Sequence, residues 1–428
     1  MRKPQTLTPE FSAALDHVGR GQGNLFVTGR AGTGKSTLLK RLRDENRGSV
    51  VVLAPTGMAA VGVRGQTIHS FFGFPPRLIE PTAMKASRNQ GIIAKLDILV
   101  IDEVSMVRVD LMDAIDRALR VGRGFLDKPF GGATLAVFGD PWQLPPVVRG
   151  AEANILHDRY GGVHFFHAPV VREEGAFQVL ELSQVFRQSD QTFVDLLTRM
   201  RLGRPTQEDF SLLAGRVLPL EAREDRAETV VLTSTNQTAF AVNEAALEAL
   251  PGREHSLKAE IEGRFEESAM PTDAVLRLKI GAKVVILRND PARRWVNGTL
   301  ATVTRIAGGS VFVEIRGLEH ELKPETWDSV RYSSDPKTGK IREELVGRFA
   351  QFPLRLAWAL TIHKAQGMTL DRVHLDLGRG AFAPGQTYVG LSRARTLEGL
   401  TLSRPLMGRD IIVDRVAGDY QRLLEPLV

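Results

Sequence analysis

The stretch Gly29–Thr37, "GRAGTGKST", constrains this chain more than any other. It follows the apolar run "NLFVTG" and precedes "TLLKRLRDE", whose apolar residues recur at helical spacing. Glycines between a strand and a helix let backbone N–H groups turn inward around phosphate oxygens. In the pattern G-x-x-x-x-G-K-[ST], the expected cradle is Gly29, Gly32, Thr33, Gly34, Lys35, Ser36 and Thr37. Lys35 would reach the outer phosphates, and the Ser36 hydroxyl would bind magnesium.

Such a loop needs a sheet beneath it. "VVVLAPT", "LDILVIDE" and "ATLAVFGD" join "NLFVTG" as buried strands, each ending in small or polar residues. Continuous apolar strands followed by helices predict an α/β fold with a parallel sheet covered on both faces. Ligands then bind at the carboxyl ends of the strands. A second α/β pattern begins after about residue 190, with "ETVVLTSTN", "AKVVILRND", "RVHLDLG" and "GLTLSRPL" as strands. Within it, "NGTLATVTRIAGGSVFVEI" alternates apolar and polar residues around Asn297-Gly298 and Gly308-Gly309 turns. That alternation predicts an inserted antiparallel sheet or small β-barrel. Residues 253–272, rich in charge, read as a helix and loop or a mobile connection.

Two strand ends carry further chemistry. Asp102 and Glu103 close "ILVIDE". Adjacent carboxylates at the end of a buried strand are costly unless positive charge sits opposite. Asp102 would hold magnesium, directly or through water. Glu103 would orient and deprotonate an attacking water. A pair of acids at a helix N-terminus is the plainer explanation, but it suits one acid better than two beside a phosphate loop. Gln143, in "VFGDPWQLPPV", follows the next strand and is framed by Trp142, Pro145 and Pro146. Turn chemistry alone explains such a frame in isolation. Beside the other two elements it reads as a sensor, an amide able to bond both phosphate and water.

Composition excludes several classes. The 428 residues include no cysteine, which rules out disulfides and thiolate metal sites and fits a reducing cytoplasm. No run of about 18 apolar residues predicts a membrane span. The first residues, "MRKPQTLTPE", lack a signal peptide's apolar core. A net charge of +6 suits a polyanionic partner, although evenly mixed surface charge produces the same excess. The expected location is the cytoplasm, and the resemblance described next places the protein with DNA in a bacterial-type cell.

The motifs occur in a distinctive order, and in that order the chain resembles the superfamily 1, group B DNA helicases, most closely the Pif family. The resemblance rests on the phosphate loop and on "LAPTGMAAVGVRGQTIHSFFGF", "FGDPWQLPPV", "LSQVFRQSDQTFVDLLTRMRLG", "LTIHKAQGMTLDRV" and "QTYVGLSRARTLEGL". It covers about residues 7 to 405. It implies two RecA-like lobes with ATP and magnesium between them. Lobe one would be residues 1–188, with a small wedge insertion at about 71–91. Lobe two would be 189–295 and 349–428, interrupted by a Src-homology-type barrel at 296–348. The implied partners are single-stranded DNA and single-strand/duplex junctions, with 5′-to-3′ movement; a monomer is the default expectation, and no membrane partner is expected. Preference for forks or G-quadruplexes stays open.

The resemblance also implies residue roles. Arg187 and Arg393 would be the arginine fingers, with Arg395 a weaker candidate. Gly367 would contact ATP, with Gln366 nearby. Thr56, Thr67, His69, Phe72, Thr233, Asn236, His363 and Lys364 are candidates for DNA, and Phe71 shares its neighbour's aromatic character. One departure stands out. Family members carry a glutamine ahead of the first helix to bond adenine, and here Phe11 takes that place, with Gln5 upstream. Three rival readings remain: an RNA or RNA–DNA hybrid helicase, a nucleotide-switched DNA-binding protein that never unwinds, and a small-molecule kinase.

Overall fold

The structure is a computed structural model. It describes residues 8–427 apart from 76, 80–88, 149, 174, 189, 224–227, 293, 335–339 and 423–424. Gln5 and much of the expected wedge insertion therefore lie outside the described residues.

The first lobe is built on a seven-stranded sheet in which every recorded pairing is parallel. Its spatial order is Glu425–Pro426, Gln178–Leu182, Leu25–Gly29, Thr134–Phe138, Ile98–Ile101, Val50–Ala54, Gln66–Thr67. The four predicted strands form its centre. Their side chains alternate between two cores, as strand geometry requires. Val27, Val52, Val100 and Phe138 meet Leu38, Leu39 and Leu42 of helix Lys35–Glu45 on one face. Phe26, Leu53, Leu99 and Val137 meet Met112, Ile115 and Leu119 of helix Val109–Arg123 on the other. Burying each such side chain contributes about 1.5–3 kcal/mol.

The second lobe has four parallel strands in the order Ala359–Thr361, Val230–Thr233, Val373–Asp376, Leu400–Leu402. One expectation changes here. "AKVVILRND" belongs to the inserted antiparallel sheet, where Lys283–Ile286 pairs with Leu300–Ala307 and Leu354–Leu356. Its continuous burial imitates a parallel strand because it is covered on both faces. Val285 joins the second lobe's core, while Val284 and Ile286 join the core of the insert. The vacant place in the parallel sheet goes to Ala359–Thr361.

The antiparallel strands extend beyond the expected 296–348. Five run in the order Leu318–Leu322, Ser310–Ile315, Leu300–Ala307, Lys283–Ile286, Leu354–Leu356. Three more are Glu325–Ser334, Ile341–Gln351 and Glu260–Gly263. The segment 253–272 is not helical as expected. It holds strands His255–Lys258 and Glu260–Gly263 and a 3₁₀ turn at Glu267–Ala269. Its charges line an exposed edge strand, where they hinder unwanted pairing. The hairpin of Glu325–Ser334 and Ile341–Gln351 reaches the first lobe. There Tyr332 and Ile341 enter that lobe's core, and the Tyr332 hydroxyl lies 3.0 Å from Val52 N and 3.3 Å from Val52 O.

The chain's last stretch also departs from expectation. Instead of staying in lobe two, it returns to lobe one. Asp414 pairs with His164, Ala417 is fully buried in lobe one's core, and Glu425–Pro426 extends lobe one's sheet beside Gln178–Leu182.

Candidate active site

The phosphate loop sits at the carboxyl end of strand Leu25–Gly29, immediately before helix Lys35–Glu45. Lys35 is turned back on the loop, donating to Gly29 O at 2.6 Å and Arg30 O at 3.1 Å. Burial pulls its ammonium below the usual lysine range, while the carboxylates of Asp140, Glu103 and Asp102 oppose the shift. Thr33 closes the loop with a bond to Arg30 O at 2.9 Å. Gly32 has φ +85°, and a Cβ there would lie 2.5 Å from the Arg187 Cβ. Only glycine lets that arginine's backbone press against the loop.

Asp102 and Glu103 end strand Ile98–Ile101. Glu103 has φ +50° and ψ +45°, a left-handed conformation uncommon for a non-glycine residue. Burial raises the Asp102 carboxyl to about 6. Burial and the neighbouring Asp102 raise Glu103 to about 7. Two acids in this state suit a site that receives a cation. Ser36 and Asp102 offer hard oxygen donors. Among the described residues no group of three or more His, Asp or Glu could cage a metal alone. That set fits magnesium, which binds through one or two carboxylates plus substrate phosphates.

Gln143 is buried at the end of the neighbouring strand. Its amide nitrogen donates to Asp140 at 3.2 Å, and Asp140 is itself ion-paired with Arg201 at 3.0 Å. Lobe two closes over this group. Gln366 Nε2 donates to Gln143 Oε1 and to Glu103 Oε2, each at 3.2 Å. Gly385 packs so closely that a Cβ would fall 2.4 Å from Gln143 O. The Tyr388 hydroxyl accepts from Ala31 N of the phosphate loop at 3.1 Å. Asp140, Arg201 and Tyr388 were not among the sequence candidates. Each nevertheless lies inside a quoted motif.

The two arginines are gathered at the lobe boundary. Arg187 donates to Gly367 O at 3.2 Å and Ser392 O at 3.4 Å, so Gly367 is also at this junction. Arg393 is 1% exposed and donates to Val389 O at 2.9 Å and Ser392 Oγ at 2.7 Å. Burial lowers Arg187 to about 10 and Arg393 to about 9, which leaves both cationic at neutral pH. Arg395 is elsewhere, ion-paired with Asp371 at 3.1 Å on the surface.

The candidates for DNA divide into two groups. Thr56, Asn236, His363 and Lys364 are exposed, and Thr67 and His69 are half-buried. Thr56 and Thr67 are helix N-caps, accepting from Ala59 N and Ser70 N. Phe72 and Phe71 are 2% and 1% exposed and belong to lobe one's core, so neither ring is open to a base. Phe74, half-buried and stacked on Phe72 at 5.1 Å, is the more accessible ring of that cluster. Thr233 is 1% exposed and its hydroxyl is spent on Thr235 O at 3.0 Å. Both corrections share a cause: a strand end or aromatic run shows in sequence, but not which face it presents.

A phosphate loop, paired acids, a strand-end glutamine and arginines supplied across a cleft between two parallel sheets define a two-lobed P-loop nucleotide-dependent protein. The sequence model of the PIF1-like helicases matches residues 7–210. The human ATP-dependent DNA helicase PIF1 is 37% identical over 93% of this chain. The chain spans 60% of that relative's length. The ATP-dependent DNA helicase Pif1 of Bdellovibrio bacteriovorus is 34% identical, covering 98% of this chain and 93% of its own. The crystal structure of Bacteroides sp Pif1 with ADP-AlF4 superposes with a TM-score of 0.91 at 36% identity, covering 98% and 97% of the two chains. A Bacteroides Pif1 structure with ADP-AlF3 and single-stranded DNA gives 0.68 at the same identity and coverage. The chain belongs to the PIF1-like helicase family.

Proposed function

We propose that this chain is an ATP- and magnesium-dependent DNA helicase that moves 5′ to 3′ on single-stranded DNA and opens duplex or structured DNA ahead of it. The observation that carries the proposal is the meeting of both lobes at one nucleotide site, where Gln366 bonds Glu103 and Gln143. One chain thus holds both halves of the site, which supports a monomeric motor.

In this reading, Lys35 leaves the Gly29 and Arg30 carbonyls to bond phosphate oxygens. Ser36 and Asp102 would hold magnesium, which would supply positive charge to the phosphates. Glu103 orients a water and accepts its proton as the oxygen attacks the γ-phosphorus, and the bond to the β-phosphate oxygen breaks to release ADP. Arg187 and Arg393 swing from backbone carbonyls to the γ-phosphate, where charge redistributes in the transition state. Gln143 senses the γ-phosphate and Gln366 relays that state to lobe two. DNA lies across Thr56, Thr67 and His69 of lobe one and Asn236, His363 and Lys364 of lobe two, bound chiefly through its backbone. Contacts to the sugar–phosphate backbone carry no sequence information, so binding is sequence-independent.

The test is strand displacement on duplexes with a 5′ tail, a 3′ tail or no tail, with and without ATP. Displacement that needs ATP and a 5′ tail is the expected result. A 3′ preference would overturn the polarity. Stimulation of ATP hydrolysis by single strands without displacement would reduce the motor to a translocase or switch. The same duplexes with an RNA loading strand test the RNA alternative.

A further inference from the structure

Two phenyl rings flank Gly34, which opens the helix that follows the phosphate loop. A Cβ built on Gly34 would lie 3.2 Å from Phe11 Cζ and 3.8 Å from Phe186 Cε2. Phe186 is 60% exposed, although its backbone N–H is pinned to Gly32 O at 2.9 Å. Its ring is thus presented to solvent from a fixed backbone, beside the phosphate loop. Phe11 is half-buried and held from behind by the helix cap, Thr8 Oγ1 accepting from Phe11 N at 3.3 Å.

Among the described residues, the side chains of Thr8 and Glu10 beside Phe11 are already engaged. The Thr8 hydroxyl is the cap. The Glu10 carboxylate accepts from Ser183 Oγ at 2.5 Å and from Ser183 N at 3.3 Å. Phenyl rings carry neither donor nor acceptor. Purines are told apart by hydrogen bonds at the ring edge, and a site that makes such bonds discriminates by about 10⁴–10⁵, whereas apolar contact discriminates by only about 10–200-fold. Stacking, by contrast, tolerates every base, because each has a π-face.

We propose that Phe11 and Phe186 hold the nucleotide base by stacking alone, so that this site selects for phosphates and accepts guanine as readily as adenine. The inference rests on the nucleotide site described under Proposed function and goes beyond it by naming the accepted nucleotides: purine nucleotides as a class, with pyrimidines weaker because their rings are smaller.

The experiment is displacement of a fluorescently labelled ADP by ADP, GDP and CDP in the presence of magnesium, on the wild-type chain, F11A and F186A. ADP and GDP are expected to compete within about fivefold of each other, with CDP roughly tenfold weaker. Both variants should weaken ADP and GDP alike, by about tenfold. F186A removes an exposed side chain, so it keeps the test open if F11A folds poorly. ADP binding 100-fold or more tighter than GDP would overturn the proposal, as would a loss confined to ADP in F186A. Hydrolysis of ATP and GTP in the same samples reports separately on the parent reading. Equal binding without turnover would remove the motor and leave the base-tolerant site standing.

Discussion

The side-chain amide of Gln366 lies 3.2 Å from the Glu103 carboxylate, joining residues 263 positions apart in the chain. The same nitrogen is 3.2 Å from Gln143 Oε1. One lobe-two amide therefore touches both the proposed base and the proposed sensor. Gln366→Ala is expected to keep nucleotide binding but to lose roughly tenfold of the DNA stimulation of ATP hydrolysis, a typical coupling between sites. Gln143→Ala should show the same loss. Full stimulation in both variants, read in a steady-state ATPase titration with single-stranded DNA, would remove the relay.

Glu103→Gln retains the shape of the site and removes its proton acceptor. Turnover should fall by about 10²–10⁴, the usual worth of a general base, while binding of nucleotide and DNA persists. Wild-type turnover in a single-turnover assay would exclude Glu103 from that role.

Gly385 has φ +72° and lies where a Cβ would meet Gln143 O at 2.4 Å. Gly385→Ala should push lobe two off the sensor turn, at a cost of about 1–3 kcal/mol from backbone strain and overpacking. ATP hydrolysis should drop together with the thermal midpoint. An unchanged midpoint and unchanged hydrolysis would mean that the close approach is dispensable.

Tyr332→Phe tests how the inserted hairpin is docked. It removes the hydroxyl that bridges Val52 N and Val52 O while keeping the ring in lobe one's core. The buried Val52 N–H loses that partner, which costs about 1–3 kcal/mol. Chemical denaturation should show the loss in its midpoint, and a midpoint equal to wild type would refute it.

His167 lies under Gly162 at the junction that also holds His164, Phe166 and Asp414. Burial, aided by the neighbouring His164, lowers its pKa to about 4. The folded state thus resists protonation that the unfolded chain accepts near its usual value of about 6.5. The resulting stability is complete above the unfolded value and is lost as pH falls from there towards 4, by up to about 1.4 kcal/mol per pH unit. His167→Asn should flatten the fall of the thermal midpoint between neutral pH and pH 5. An identical slope in wild type and variant would assign the pH dependence elsewhere.

Lobe one's central strands and the phosphate site were readable in the sequence because their signals are local. A strand, a glycine turn and a helix lie side by side in the chain, and the turn's residues carry the chemistry. The strand Lys283–Ile286 was misplaced because burial on both faces looks the same from sequence whichever sheet supplies the cover. Phe72 and Thr233 were misread for a related reason, since their residue types suit DNA but their side chains face inward. Arg201 was hidden among 56 basic residues until its ion pair with Asp140 singled it out. The Gln366 contacts depend on how two lobes meet, which no local pattern records.

The chain passes between the lobes twice, outward after Gln178–Leu182 and back through Asp414 and Ala417 to Glu425–Pro426. The two passages are neighbours, with Gly203 of the outward side packed on Val413 of the return. The inserted hairpin adds a third attachment, with Tyr332 and Ile341 in lobe one's core. Three separate stretches of one chain therefore join the second lobe to the first.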